Sequence, residues 1–247
     1  MQPDYAERYG ELETWHWWFR GRQQVVGSVL RHQLPSRDRL DVLSVGCGPA
    51  SGLYWLRSFA GEHGRVVGID VEATHATPLQ PGLHYVVGSI TTVPIKEHTF
   101  DVVLALDVLE HVDDDVGSLR QVTNLARNNG LLLVTVPALP SLWGGQDVVS
   151  HHRRRYTRRT LRALFHAAGL EHPRISYFNT FLFPPIAATR WWRAARGLRN
   201  RARTDFDDSN PGVLNDILAH IFAAERHFIR LFPFPVGVSL LATVRLP

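Results

Sequence analysis

The chain has 247 residues, 45% hydrophobic and 20% charged, a balance that excludes wholesale disorder. Its single cysteine, Cys47, excludes a disulfide framework and multi-cysteine metal sites. Residues 1–120 carry 10 basic and 16 acidic side chains (−6), residues 121–247 carry 17 and 7 (+10), and the sum is the net +4. A basic C-terminal half suggests an anionic partner such as phosphate, carboxylate, nucleic acid or a membrane surface. Arginine-rich codon usage accounts for Arg over Lys, but not for the segregation.

The polar, acidic start MQPDYAERYGELE does not read as a secretory signal. The longest apolar stretches, 131–139 and the proline-broken 181–188, fall short of the roughly 20 residues that span a bilayer. A soluble, cytoplasmic setting is therefore expected. Residues 1–34 read as helical, with WHWWF at 15–19 and Val25, Val26, Val29 and Leu30 at helical spacing. After a polar connector at 34–39, short apolar runs alternate with helical segments. Strands are expected at 40–45, 66–70, 84–89, 100–108 and 130–136, with helices at 51–60 and 115–128. Such alternation implies a parallel sheet covered on both faces.

Beyond Pro137 the pattern changes. Thr157 is placed to cap a helix bearing Leu161, Leu164, Phe165 and Ala168, closed by Gly169. Residues 175–178 read as a sixth strand and 236–246 as the last. Between them, 213–232 reads as one long amphipathic helix with Leu214, Ile217, Leu218, Ile221, Phe222, Phe228, Ile229 and Phe232 on its apolar face. The expected organisation is a single domain over 1–247: an N-terminal helical segment (1–39), a cofactor-binding core (40–137), substrate-side loops and helices (138–235) and a last strand (236–247).

DVLSVGCGPASG (41–52) places Gly46 and Gly48 between a strand and a helix. Backbone can approach a ligand closely there, and the helix start favours negative charge. A tight turn alone would ask for the same glycines. Asp70, at the end of the second strand, can accept both ribose hydroxyls of a nucleoside. The cofactor at this point is a dinucleotide or S-adenosylmethionine. The dinucleotide turn wants G-x-G-x-x-G, and Ser51 stands where the third glycine would be.

VGCG (45–48), VGID (67–70), VVGSI (86–90), FDVVLALDVLEHVDD (100–114) and GLLLVTVP (130–137) together resemble class I S-adenosylmethionine-dependent methyltransferases of the type 11-like kind. The flanks resemble a bacterial subgroup with an N-terminal HWWF segment, here His16–Phe19 followed by Arg20. The same subgroup carries a D-x4-H-x-R-R-Y-T segment, here Asp147, His152, Arg154, Arg155, Tyr156 and Thr157. Tyr177-Phe178-Asn179, Leu182-Phe183-Pro184 and PFPVGVSLL (233–241) continue the likeness. The resemblance implies a Rossmann-like seven-stranded methyltransferase sheet with helices on both faces. It also implies S-adenosylmethionine as cofactor. Residues 137–160 and 179–235 read as insertions on this core, the second a helical insertion before the last strand, and the aromatic N-terminal segment reads either as a helical lid over the cofactor, with Arg20 reaching its carboxylate, or as a packed N-terminal helix. The cofactor residues the resemblance implies are Gly46, Cys47, Gly48, Asp70, Val71, Ser89, Ile90, Leu106, Asp107 and His111; the lid reading adds Arg20 and Trp17. Ser44 and Ser89 stand where the superfamily usually has acids, so weaker contact to the cofactor's amino group and adenine is expected.

For methyl transfer, Asp147, His152, Arg153, Arg154, Arg155 and Tyr156 form the densest polar cluster. His152 is the expected base and Asp147 its orienting acid, with Tyr156 beside them. The three arginines are expected to hold a phosphate or carboxylate of the acceptor. A structural ion-pair network fixing the loop is the competing reading. The acceptor expected is a small or lipid-like molecule, anionic and partly apolar, in secondary metabolism. Trp191, Trp192 and the six arginines between 190 and 203 have the aromatic and cationic composition of a membrane interface, against which stands a solvated arginine face with tryptophans turned inward. Nucleic acid is disfavoured, since no target-base motif or separate basic domain is present. An inactive cofactor-binding or regulatory relative is the alternative that the two serines permit. A nicotinamide-dependent oxidoreductase is disfavoured by the glycine spacing.

Overall fold

The computed structural model describes residues 10–34, 38–71, 79–92, 95–198 and 211–247. Seven strands form one sheet: β1 (Asp41–Val45), β2 (Arg65–Asp70), β3 (Leu83–Val87), β4 (Phe100–Leu106), β5 (Ala126–Pro137), β6 (Arg174–Phe178) and β7 (Ser239–Arg245). Their order is β3-β2-β1-β4-β5-β7-β6, and the pairs β1–β2, β1–β4, β2–β3 and β4–β5 are parallel. This is the seven-stranded, Rossmann-like arrangement expected from the sequence. Central strands run as unbroken apolar stretches because both faces are covered. All five residues of β1 are buried, as are Val102–Ala105 of β4 and Leu131–Val136 of β5.

The helices are α1 (Trp17–Gln33), α2 (Arg57–Ala60), α3 (Asp115–Leu125), α4 (Gly145–Val149), α5 (Arg158–Ala167), α6 (Phe183–Ala195) and α7 (Val213–Ala224). By packing, the chain resolves into two compact units. The glycine-turn unit comprises Leu34–Val136, Arg159–Ile175 and Leu241–Pro247. The helical unit comprises Met1–Gln33, Pro137–Arg158 and Ser176–Leu240.

Several boundaries differ from expectation for local reasons. Residues 10–15 are helical but separated from α1 at His16, whose buried ring accepts the Trp18 N–H at Nδ1. The expected helix 51–60 is a 3-10 helix over Ala50–Leu56 followed by the short α2. Helix α3 ends at Leu125 rather than 128, and β5 begins at Ala126, four residues earlier than expected. Arg127 draws this segment into the sheet: its guanidinium reaches Asp41 at 3.0 Å and Asp101 at 2.9 Å. The extra residues bulge out, since Phe100 pairs with Ala126 and Val102 with Leu131.

The largest correction concerns 213–232. The helix α7 stops at Ala224 and a 3-10 turn, Glu225–His227, follows. Of the expected apolar face, only Phe222 and Ile229 are buried; Leu214, Ile217, Ile221, Phe228 and Phe232 are exposed. The inward side is Asn215, Ala219, Phe222 and Ala223. Asn215 is held there because it bridges α1's start, donating to Trp15 O and accepting from Trp17 N, each at 2.8 Å. Gly21 admits Phe222, since a Cβ at this glycine would lie 2.2 Å from the ring. These contacts fix the rotation of α7 and turn its aliphatic stripe outward. The helix α6 was masked in the sequence by Pro184 and Pro185, which occupy its first turn, where no N–H is missed. On it Trp191 and Trp192 point outward at 48% and 51% exposure, while Arg190 is buried, the reverse of tryptophans turned inward.

Candidate functional site

In the glycine-turn unit, three strand ends lie side by side. Val45 pairs with Ile69 and with Ala105, so Gly46, Asp70 and Leu106 leave the sheet at one level. The order of strands reverses between β1 and β4, the place where open α/β sheets bind ligands. Gly46 and Gly48 have φ of +61° and +65°, a left-handed backbone that side chains disfavour. A Cβ at Gly46 would lie 2.5 Å from the Val108 side chain, whereas a Cβ at Gly48 would meet nothing within 4 Å. The space over Gly48 is therefore open, and backbone can touch a bound molecule there.

Asp70 is fixed at the rim of this turn. Its Oδ2 accepts the Gly48 N–H at 2.8 Å, and its carbonyl accepts from Gly88 at 2.8 Å. Val71, next in line, is 65% exposed. Ser89 pairs with Thr92 in an isolated bridge, its hydroxyl lies 2.8 Å from that of Thr91, and Ile90 is buried beside it. Leu106 is half-buried at the end of β4. Asp107 follows with φ +58°, its N–H donating to Thr135 O at 2.9 Å. His111 closes a 3-10 turn by donating its N–H to Val108 O. Ser44 is buried within β1, while Cys47 is half-buried and donates its N–H to Ile69 O at 3.1 Å. Open backbone at the turn and a held carboxylate suit a nucleoside with vicinal hydroxyls, so these residues fit S-adenosylmethionine.

In the helical unit, Asp147 on α4 is completely buried and gathers four partners. Its Oδ1 accepts His152 Nδ1 at 2.8 Å and Arg155 Nε at 2.7 Å. Its Oδ2 accepts the Gly144 N–H at 2.8 Å and lies 3.5 Å from Arg190 Nη1. Burial pushes the Asp147 carboxyl up, but the His152 hydrogen bond and the Arg155 and Arg190 guanidinium groups outweigh it and hold the group well below the ordinary carboxylate range. The His152 imidazole is thereby held through Nδ1 by a fixed, buried carboxylate.

Arg155, expected to hold substrate, is instead buried. Its Nε binds Asp147 and its Nη1 binds Ala138 O at 2.8 Å, so it anchors the loop. Arg153 is exposed and Arg154 half-buried. Tyr156 is buried, and its backbone bridges to Ala138. Arg190 is the member of this cluster that sequence reasoning missed; it also donates to Leu142 O at 2.5 Å. The signal was Ala187 three residues earlier, also buried, which marks one inward face of α6. Trp17 and Arg20 belong to this unit as well. Trp17 lies against Phe222 with ring centroids 6.1 Å apart, and Arg20 pairs with Asp216.

Reversed strand order, a glycine turn and a held acid at the second strand's end define a nucleoside-binding α/β protein. The family model described as the methyltransferase domain matches residues 16–172. The chain belongs to this methyltransferase family. A probable S-adenosylmethionine-dependent methyltransferase of Mycolicibacterium smegmatis is 30% identical over 161 residues, 63% of this chain and 60% of that protein. One of the same description from Mycobacterium tuberculosis is 29% identical over 140 residues, 56% of this chain and 48% of that protein. The chain thus spans about half the length of the curated relatives it matches. Among solved structures, the Haloferax volcanii complex of the Trm112 methyltransferase activator and a methyltransferase includes a chain with a TM-score of 0.61 at 17% identity, covering 99% of this chain and 95% of that one. That likeness is one of fold.

Proposed function

We propose that this chain transfers a methyl group from S-adenosylmethionine to a small-molecule or lipid-like acceptor that bears an anionic group, in a biosynthetic step of secondary metabolism. The observation that carries this reading is the Gly48-to-Asp70 hydrogen bond across a turn that needs two left-handed glycines. Asp70 receives the ribose hydroxyls, and the backbone of Gly46, Cys47 and Gly48 lies against the cofactor. Val71, Ser89 and Ile90 flank the adenine, and Leu106, Asp107 and His111 complete the cradle. The bound cofactor supplies an electrophilic methyl group with a good neutral leaving group. The protein's task is then alignment and exclusion of water.

On the acceptor side, His152 Nε2 takes the proton of the acceptor O–H or N–H, and Asp147 holds Nδ1–H. Arg153 and Arg154 hold the anionic group, Tyr156 lies beside them, and Arg155 and Arg190 position Asp147. A second reading draws on the saturation of Asp147 by Arg155, Arg190 and Gly144: the cluster is a scaffold, and the acceptor needs no base.

Thermal unfolding with S-adenosylmethionine and with NADH tests the cofactor. Stabilisation by the first alone is expected; stabilisation by NADH alone overturns the reading. Calorimetric titration of Arg154→Ala with diphosphate tests the anion site. Loss of diphosphate binding with S-adenosylmethionine affinity retained supports it, and equal losses favour the scaffold.

A further inference from the structure

The helix α7 turns three different faces to its surroundings. Asn215, Ala219, Phe222 and Ala223 point inward, and Asp216 and His220 are exposed on a polar edge. Val213, Leu214, Ile217 and Ile221, at positions that fall on one side of a helix, are exposed to solvent, the first two at 77% and 69%. Just beyond the helix, Phe228 and Phe232 are also exposed, with ring centroids 6.3 Å apart. A soluble helix ordinarily turns such a stripe to the core, and an exposed run of large apolar side chains marks an interaction surface. The helix α6, in the same unit, adds the exposed Trp191 and Trp192, and the Arg196 guanidinium lies 4.2 Å from the Trp192 ring centre.

Among the described residues, the exposed charge beside these side chains is mainly positive. In the described parts of 183–198 and 211–240, Arg193, Arg196, Arg226 and Arg230 are partly or fully exposed. The two acids there are engaged: Glu225 is buried on backbone N–H groups and Asp216 pairs with Arg20. Apolar and aromatic side chains among arginines complement a surface that is apolar beneath and anionic above. A second copy of the chain would set the same cations against themselves. Among the described residues no helix is long and apolar enough to cross a membrane, so the contact would be interfacial.

We propose that the outward stripe of α7, with Phe228, Phe232 and the tryptophans of α6, docks this protein on the surface of an anionic phospholipid bilayer. The aliphatic and aromatic side chains enter the boundary between headgroups and acyl chains, and the arginines meet the lipid phosphates. The proposal is independent of which acceptor is methylated.

Flotation of the full chain with phosphatidylglycerol-containing vesicles, against pure phosphatidylcholine vesicles, tests it. Binding to the anionic vesicles about tenfold tighter than to the neutral ones is expected, and weakening with salt. Leu214→Glu with Ile217→Glu should weaken that binding by about tenfold or more, since both side chains would lose burial in the bilayer. The melting temperature and its response to S-adenosylmethionine should stay unchanged. Arg196→Ala with Arg230→Ala is a second, independent variant that leaves the stripe intact and should weaken binding to anionic vesicles only. No vesicle binding, or equal binding by all variants, overturns the proposal. So does light scattering that shows a dimer which Leu214→Glu with Ile217→Glu splits, because the stripe would then join two copies.

Discussion

The Gly48 amide donates to the Asp70 carboxylate at 2.8 Å, from the turn after β1 to the end of β2. In the ribose-binding role proposed for Asp70, this bond orients the acid in advance and leaves less ordering to be done on binding. A ligand of the native state stabilises by mass action, about 2.7 kcal/mol at a hundredfold excess over Kd. Asp70→Ala should remove most of the rise in melting temperature that S-adenosylmethionine produces. Asp70→Asn keeps an acceptor for the Gly48 N–H and should retain part of it. Melting curves across a cofactor titration distinguish the three proteins.

The two glycines should respond differently to alanine. Gly46→Ala adds a left-handed alanine and a Cβ 2.5 Å from Val108, so it should lose about 2–4 kcal/mol of stability. Gly48→Ala meets open space, and its left-handed strain alone should cost about 1–2 kcal/mol. Yet its methyl would fill the approach to the turn. Chemical denaturation should therefore find Gly48→Ala the more stable of the two, while calorimetry finds its cofactor affinity lost.

Removing the charge at Asp147 leaves Arg155 and Arg190 buried without their carboxylate. Asp147→Asn should cost about 3–5 kcal/mol, the usual loss when one partner of a buried ion pair is deleted. The group's folded value lies below its ordinary 3.8. Its stabilisation is therefore present above that ordinary value and is lost as pH falls below it. Denaturant unfolding between pH 3 and pH 6 should show this acid loss in the native protein and not in the variant. An equal loss in both would place the acid sensitivity elsewhere.

The central sheet was legible because β1, β4 and β5 are buried on both faces, which leaves apolar runs with no polar alternation to misread. The turn at Gly46–Gly48 and the acid at Asp70 were legible because each needs a particular residue type. The orientation of α7 was not. Its apolar side chains predict an inward stripe, and only the partners Gly21, Trp15 and Trp17 reveal that Asn215 and Phe222 face the core. Arg190 was hidden in the same way, among arginines that read alike until Asp147 gives one of them a buried partner. The pairing of Asp147 with His152 followed from a motif, but the further engagement of Asp147 by Arg155 and Gly144 depends on how α4 and the loop fold together.

Glu225 offers a pH response opposite in sign to that of Asp147. It is completely buried at the end of α7, where Oε1 accepts the N–H groups of Thr180 at 2.6 Å and Phe181 at 2.8 Å. Burial raises its carboxyl, and those N–H groups, with that of Asn179, offset it only in part, so the group is pushed up to about 7 from its ordinary 4.5. The folded protein then binds a proton that the unfolded chain releases between these two values. Its contribution to stability is full below pH 4.5 and is lost as pH rises to about 7. That interval corresponds to about 3 kcal/mol. Glu225→Gln keeps a carbonyl oxygen for the two N–H groups and has no charge to bury. It should match the native protein near pH 4.5 and exceed it by about 2–3 kcal/mol at pH 8. Urea unfolding at both values is the measurement. A variant less stable at pH 8 would show that Glu225 is ionised in the fold and held by partners beyond these N–H groups.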